Sequence, residues 1–339
     1  MKEFFEKKGV DISFKRYFID ALGAMAFGLF ASLLVGTILN TIGSQFSISF
    51  LTERIWPLVA QATGPAIAVA IAKSLGAPNL VLFATTIVGL GSYELGGPVG
   101  VYIASIVSVE LGKLISKESK LDIILTPSLT ILVGVFVGDM IGPRVSDFMT
   151  LIGSLIMKST ELQPILMGII VSVLVGVALT LPISSAAICM MLSLSGLAGG
   201  AATVGCASQM IGFAIISYKD NGFEGLLAQG LGTSMLQIPN TIKNPWIWLP
   251  PTLAGAILGP VSTSIFHMEN SPIGSGMGTC GLVGQISMLT EMGYSLSLLG
   301  QILILHFILP GLLSYLIYRL MKNKGLIKDG DMKLDLVKN

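Results

Sequence analysis

Charge is what this sequence has least of. Asp, Glu, Lys and Arg together make up 12% of the 339 residues, about half of the roughly 25% typical of soluble domains. A surface so short of charge must face lipid. The formal net charge is +1 and no long basic run occurs, which argues against nucleic acid as a partner. Histidine and cysteine are also scarce. Cys189, Cys206 and Cys280 lie in apolar, glycine-rich segments without metal-ligand spacing, and His267 and His306 are too isolated to complete a zinc site. The cysteines read as small buried hydrophobes, and neither a metal nor any other cofactor is expected. No nucleophile stands beside a base, so intramembrane catalysis is not expected either. The first 16 residues are charged and run into a full-length apolar span without a small-residue cleavage motif, so no cleavable signal is expected.

Apolar side chains and glycine are abundant. Hydrophobic residues make up 53% of the chain and mean hydropathy is +0.82. The 40 glycines, about 12% against a usual 7% or so, suit close helix packing and broken helices. The expected class is therefore an all-α, polytopic membrane protein lying in the lipid bilayer.

The segment 1–17 interleaves Phe4, Phe5 and Phe14 with charges and reads as an amphipathic, cytoplasmic piece. Apolar spans follow at 18–42, 57–75, 79–93, 101–115, 121–142 and 165–181, each judged against about 30 Å of hydrocarbon. Glu53, Arg54 and Trp56 mark an interface, and 143–161 reads as an amphipathic connector. GSYELGGPVG (91–100) interrupts the apolar pattern. Lys113, Lys117 and Lys120 place the following loop in the cytoplasm by the positive-inside rule. Residues 225–238 are too short to span comfortably. PNTIKNPWIWLPP (239–251) reads as irregular interfacial backbone, and 253–266 re-enters the membrane. The last clear span is 296–318, with a basic segment 321–339 after it. Both termini are then cytoplasmic, the number of crossings is even, and about ten are expected.

The stretch LPISSAAICMMLSLSGLAGGAATVGCASQ (181–209) carries a proline, several hydroxyls and glycines, and no charge. A purely lipid-facing helix would not use so many helix-weakening residues, so the stretch is a candidate binding segment. Parts of it echo earlier sequence. GPAIAVAIA (64–72) matches LPISSAAIC (181–189), ATTIVGLGS (84–92) matches AATVGCASQ (201–209), and 126–149 matches 250–268. The offsets are 117 for Pro65 to Pro182, 124 for Pro127 to Pro251 and 117 for Pro143 to Pro260. Two membrane repeats, 18–162 and 163–320, are expected. With five spans each, the second is inverted, and broken helices meet around a substrate.

Polar groups at bilayer depth are costly and tend to be functional. The candidates are Glu94 in the 91–100 break, Gln209 in its counterpart, and Ser184 and Ser185 after Pro182. Asn240 and Asn244 lie between prolines, and His267, Glu269 and Asn270 precede the glycine run 274–281. Carboxylate, imidazole, amide and hydroxyl groups beside exposed backbone suit a polyhydroxylated ligand, whose hydroxyls both donate and accept. For His267 and Glu269 an interfacial loop touching water is an equal alternative. Glu110 and Asp139, near span ends, read as solvated or snorkelling.

The segments TLPISSAAI (180–188), GLAGGAATVGCASQMIGF (196–213), AQGLGTSMLQIPN (228–240), KNPWIWLPPTLAGAILGP (243–260) and NSPIGSGMGTCGLVGQ (270–285) carry a resemblance. Together they resemble bacterial phosphotransferase-system enzyme IIC-like membrane proteins, a family that includes regulators of the perfringolysin O type, over about 18–318. The resemblance implies a homodimeric carbohydrate channel in the bacterial cytoplasmic membrane. A separate cytoplasmic IIB subunit would phosphorylate the sugar, because no segment here is long enough for a IIA or IIB domain. It also implies a glutamate and a histidine in re-entrant hairpins, and Glu269, His267 and Glu94 match by residue type and context. The alternative it raises is a membrane sensor that keeps the scaffold and controls gene expression through a partner.

Overall fold

The computed structural model describes Phe5 and residues 8–334, and all regular elements among them are helical. Residues 1–4, 6 and 7 of the amphipathic segment 1–17 lie outside the described residues, as does 335–339 of the tail. Six helices are long and apolar enough to cross a membrane. They are α1 (Arg16–Gln45), α2 (Phe50–Ser74), α3 (Asn79–Ile115), α4 (Asp122–Thr160), α7 (Gly196–Ile216) and α13 (Leu296–Asn323). Between them lie α5 (Pro164–Thr180), α6 (Ser185–Met191), α8 (Tyr218–Leu227), α9 (Ile238–Lys243), α10 (Leu249–Pro260), α11 (Pro272–Ser275) and α12 (Val283–Met292). The chain forms two compact units, Met1–Phe148 and Met149–Asn339, and the division falls inside α4.

In the first unit glycines set the helix spacing. A Cβ on Gly28 would meet the backbone of Ile67, and one on Gly64 would meet the carbonyl of Gly89. Without side chains at these points α1, α2 and α3 can touch along their backbones, which is how dispersion holds helices together where lipid removes the hydrophobic drive. The 37-residue α3 is not straight. Gly97 takes φ 54° and ψ −153°, a conformation open to glycine, and Pro98 next to it lacks an N–H. The helix folds back on itself there. A Cβ on Gly112 would lie 2.9 Å from Val81, and one on Gly100 would lie 3.0 Å from the Ser92 carbonyl. Its arms, 79–96 and 98–115, are each about 27 Å long at 1.5 Å per residue. The break in the apolar pattern at 91–100 is therefore a hairpin tip.

α4 runs parallel to the first arm, with Gly134 on Val88, Gly138 on Ser92 and Gly142 on Leu95. It continues through Pro143 to Thr160 as one helix, where sequence expects a break at 142. Proline removes a single hydrogen bond from the ladder, and neighbouring packing can hold the helix through it. Glu110 departs from the solvated role expected of it. It is buried, 3.0 Å from Lys113 and 3.4 Å from Arg16, and Lys113 also donates to the Leu75 carbonyl at 3.0 Å. This buried cluster ties the start of α1 to the α2–α3 turn.

In the second unit α5 and α7 run parallel. Ser172 abuts Gly205, Gly176 faces Gly205 and Gln209, and Thr180 reaches Gln209. α10 runs antiparallel to both, with Gly255 on Ser208 and Pro251 on Gly212. α13 is parallel to α7. Leu305 packs with Val204, and Tyr318 with Ile216. Because α5 and α7 point the same way, residues 181–195 must travel back along α7 between them. The matched stretches 126–149 and 250–268 occupy different settings: α4 lies parallel to the first arm of α3 and also meets the second arm, with Thr130 against Gly112, whereas α10 runs antiparallel to both α5 and α7. Their shared small-residue pattern reflects close packing rather than a shared direction.

Candidate functional site

α5 stops at Leu181, whose ψ of 159° is extended, because Pro182 disfavours helical backbone in the residue before it. Ser184 then caps α6, accepting from the Ala187 N–H at 3.2 Å. The second break starts at His267, where φ is 47°, and ends at Leu282, where φ is 60°. Between these points the chain enters and returns beside α7. Met268 lies against Gly200, Gly278 against Cys206 and Ala207, and Thr279 reaches the Met210 sulfur at 3.5 Å. Gly284 then lies back against Thr203. Ten residues of α7, from 200 to 210, correspond to about 15 Å, so 268–284 is a re-entrant hairpin with its tip near Thr279.

Side chains lock the two breaks together. Ser185 Oγ donates to the Gly276 carbonyl at 2.7 Å, and Ser275 Oγ to the Leu194 carbonyl at 2.8 Å. Asn270, fully buried, donates to Thr203 Oγ1 at 2.8 Å and to the Gly284 carbonyl at 2.9 Å. Its backbone N–H bonds the Gly196 carbonyl. Glycine is required at 199 and 276, where a Cβ would press on the backbone of Asn270 and Ser185. Ser185 and Asn270 are thus brought to one polar knot. His267 and Glu269 are exposed at its edge.

The other sequence candidates lie elsewhere. Gln209 is six residues along α7 from Thr203, about 9 Å. Its Oε1 accepts from Thr180 at 3.2 Å and Trp248 at 3.1 Å, and its Nε2 donates to Thr252 at 2.9 Å. Asn240 and Asn244 hold the segment 324–334. Asn240 donates to the Lys333 carbonyl at 2.9 Å, and Asn244 to the Leu326 carbonyl at 3.0 Å and Asp331 at 2.7 Å. Gln237 and Asn221 both donate to the Met332 carbonyl. Glu94 belongs to the first unit, exposed beside the Gly97 turn.

Two residues that sequence reasoning passed over complete the picture. Gln285, one step beyond the knot, bonds His306 Nδ1 at 3.0 Å, and both side chains are buried. Gln285 Oε1 and His306 Nε2 have no hydrogen-bond partner among the described residues. A histidine within an apolar span is the signal that sequence carries for this pair, although His306 is too isolated in sequence for metal-ligand spacing.

A family model for the phosphotransferase system, EIIC, matches residues 19–334. The chain belongs to the phosphotransferase-system EIIC family. No curated protein and no solved structure matches it. As an EIIC protein with six helices apolar enough to cross a bilayer, it is a multi-pass membrane protein and a IIC-type subunit of a sugar phosphotransferase system. The EIIC match spans both units and both breaks of the second. No group of three or more His, Cys, Asp or Glu able to hold a metal occurs among the described residues.

Proposed function

We propose that the protein binds its sugar in the second unit, where 181–196 and 267–285 interrupt the helices, and carries it across the bacterial cytoplasmic membrane. The observation that carries this reading is the pair of uncommitted buried atoms, Gln285 Oε1 and His306 Nε2, beside the Asn270 knot. Buried polar atoms are normally paired, and a sugar hydroxyl can both donate and accept. Glu269 and His267 lie at the edge of the hairpin and serve as its outer ligands. Ser184, Ser185 and Asn270 shape it, and Gln209 braces α5, α7 and α10 around it. Asn240 and Asn244, which hold the segment 324–334, act at a distance from it, and Glu94 serves within the first unit. The protein works as a homodimer with a separate IIB subunit that phosphorylates the sugar.

Ten crossings fit this reading. To the six long helices are added the second arm of α3, α5, the returning segment 181–195 and α10. Each unit then holds five alternating crossings, an arrangement that supports an inverted repeat in which α7 answers the first arm of α3 and 181–189 answers 64–72. The basic residues around 113–120 and after Tyr318 favour cytoplasmic termini.

Binding of a sugar panel to the purified protein tests the reading. One sugar is expected to bind the wild type and to lose at least tenfold in affinity in His306→Leu. Wild-type protein that binds none of the panel, with or without a cognate IIB, overturns it. The second reading, a sensor on the same scaffold, is favoured if a deletion strain changes transcription while sugar uptake stays normal.

A further inference from the structure

At the far end of α7 the chain turns into α8, and the last turns of α13 pass beside it. A cleft of about 450 Å³ lies between them, lined by Ile215, Tyr218, Lys219, Tyr315, Arg319 and Lys322 among others. Three cations converge there. Asp329 offsets part of that charge, accepting from Lys219 at 3.0 Å and from Lys322, and the Asp220 carboxylate, which accepts from the Gly330 N–H, stands beside it. Arg319 is exposed and makes no ion pair among the described residues; its guanidinium carbon lies 6.0 Å from the Tyr315 ring centre. The Lys322 ammonium lies 5.7 Å from the Tyr318 ring centre. With no carboxylate partner, the Arg319 guanidinium keeps its N–H donors available for a planar or tetrahedral oxyanion.

The apolar surroundings say what carries the anion. Ile308, Leu312, Tyr315 and Arg319 recur at three- and four-residue spacing, which places them on one face of α13. Ile308, Leu312 and Tyr315 are 52%, 49% and 40% exposed. Ile215 of α7 is exposed beside them, and Gly311 brings α13 against Ile211 and Ile215. An apolar track therefore runs along the helix into a cationic, tyrosine-lined end. A free phosphate would use only that end, whereas an amphiphile fits both.

We propose that this cleft binds an anionic phospholipid, its phosphate on Arg319 and Lys322 and an acyl chain along Leu312 and Ile308. Basic clefts between membrane helices at the headgroup level recognise anionic lipids in this way, and tyrosines are favoured at the same depth. The inference needs α7 and α13 to lie in a bilayer and does not depend on which sugar is bound, or on whether any is.

The test uses the full-length protein in neutral detergent. Native mass spectrometry and thermal unfolding are recorded with phosphatidylglycerol, phosphatidylcholine or glycerol 3-phosphate added. Phosphatidylglycerol is expected to leave a discrete adduct and to raise the unfolding temperature; the other two are not. Arg319→Gln combined with Lys322→Gln is expected to weaken phosphatidylglycerol at least tenfold, whereas Lys120→Gln, an exposed lysine elsewhere, leaves it unchanged. Arg319→Gln alone is expected to weaken phosphatidylglycerol as well, and it serves if the double variant is unstable in detergent alone. Equal responses to the two lipids overturn the proposal, as does undiminished binding in the double variant. Full competition by glycerol 3-phosphate reassigns the cleft to soluble phosphates, and a soluble acidic protein that phosphatidylglycerol fails to displace reassigns it to a protein contact.

Discussion

Gln285 and His306 form a buried pair in which each partner has a spare polar atom. That is an unusual state for groups at bilayer depth, where an unpaired polar atom costs several kcal/mol. A pair kept only for packing and a pair kept for a ligand respond differently to mutation. His306→Leu removes the partner of Gln285 and leaves a buried amide unsatisfied, so it is expected to destabilise the protein by about 1–3 kcal/mol. His306→Leu combined with Gln285→Leu removes both groups and is expected to recover most of that loss without recovering sugar binding. Thermal unfolding and sugar titration of the three proteins check this. A double variant that binds sugar normally removes the pair from the site. Asn270 behaves differently, because both of its amide hydrogens already serve Thr203 and Gly284. It is a residue that builds the hairpin.

At the scale of elements the second unit is organised by places where helices stop. The return of 181–195 and the hairpin 268–284 both rest on glycines at close backbone approaches and on hydroxyls that bond the freed carbonyls. The segment 324–334 is a third non-helical element. It is gripped by amides of Asn221, Gln237, Asn240 and Asn244 through its own backbone carbonyls. Asp329 in this segment accepts hydrogen bonds from Lys322 and Lys219, which hold its carboxyl below the usual carboxylate range. A carboxyl depressed in the folded state stabilises that state above its unfolded pKa and loses the contribution as pH falls through the lowered folded value. Hydrogen exchange of 328–334 is therefore expected to be slow at neutral pH and to gain openings as pH drops below about 4. Asp329→Asn should show the faster exchange already at neutral pH. Protection that is independent of pH and of this substitution would show that the amide grip suffices alone.

For the whole molecule, the bend at Gly97 changes the topology. With α3 straight, residues 77 and 117 would lie at opposite ends of a rod of about 55 Å; with α3 folded, they lie on the same side and the tip at 97 on the other. Single cysteines at Ala77→Cys and Lys117→Cys are expected to react with a membrane-impermeant reagent from one face, and Gly100→Cys from the opposite face or not at all. Labelling of 77 and 117 from opposite faces would undo the count of ten crossings.

Composition and apolar run length determined the membrane class and the spans near 18–42, 57–75 and 296–318, because lipid imposes those features on a chain wherever it crosses; the stretch 239–251, expected to be irregular, is instead a run of short helical pieces broken at Asn244. Proline and glycine placement also marked both breaks of the second unit, since local backbone preference is a property of a few adjacent residues. Partnership was not legible. Nothing in the order of residues says that Asn240 and Asn244 hold a segment about 90 residues later, that Glu110 is buried between Lys113 and Arg16, or that an isolated His306 meets Gln285. Those outcomes depend on which helix faces meet, and small-residue patterns that look alike in sequence can pack in parallel or antiparallel. Only the folded arrangement decided that the polar stretch 181–209 supplies a returning segment and a brace, while the uncommitted donors and acceptors come from 285 and 306.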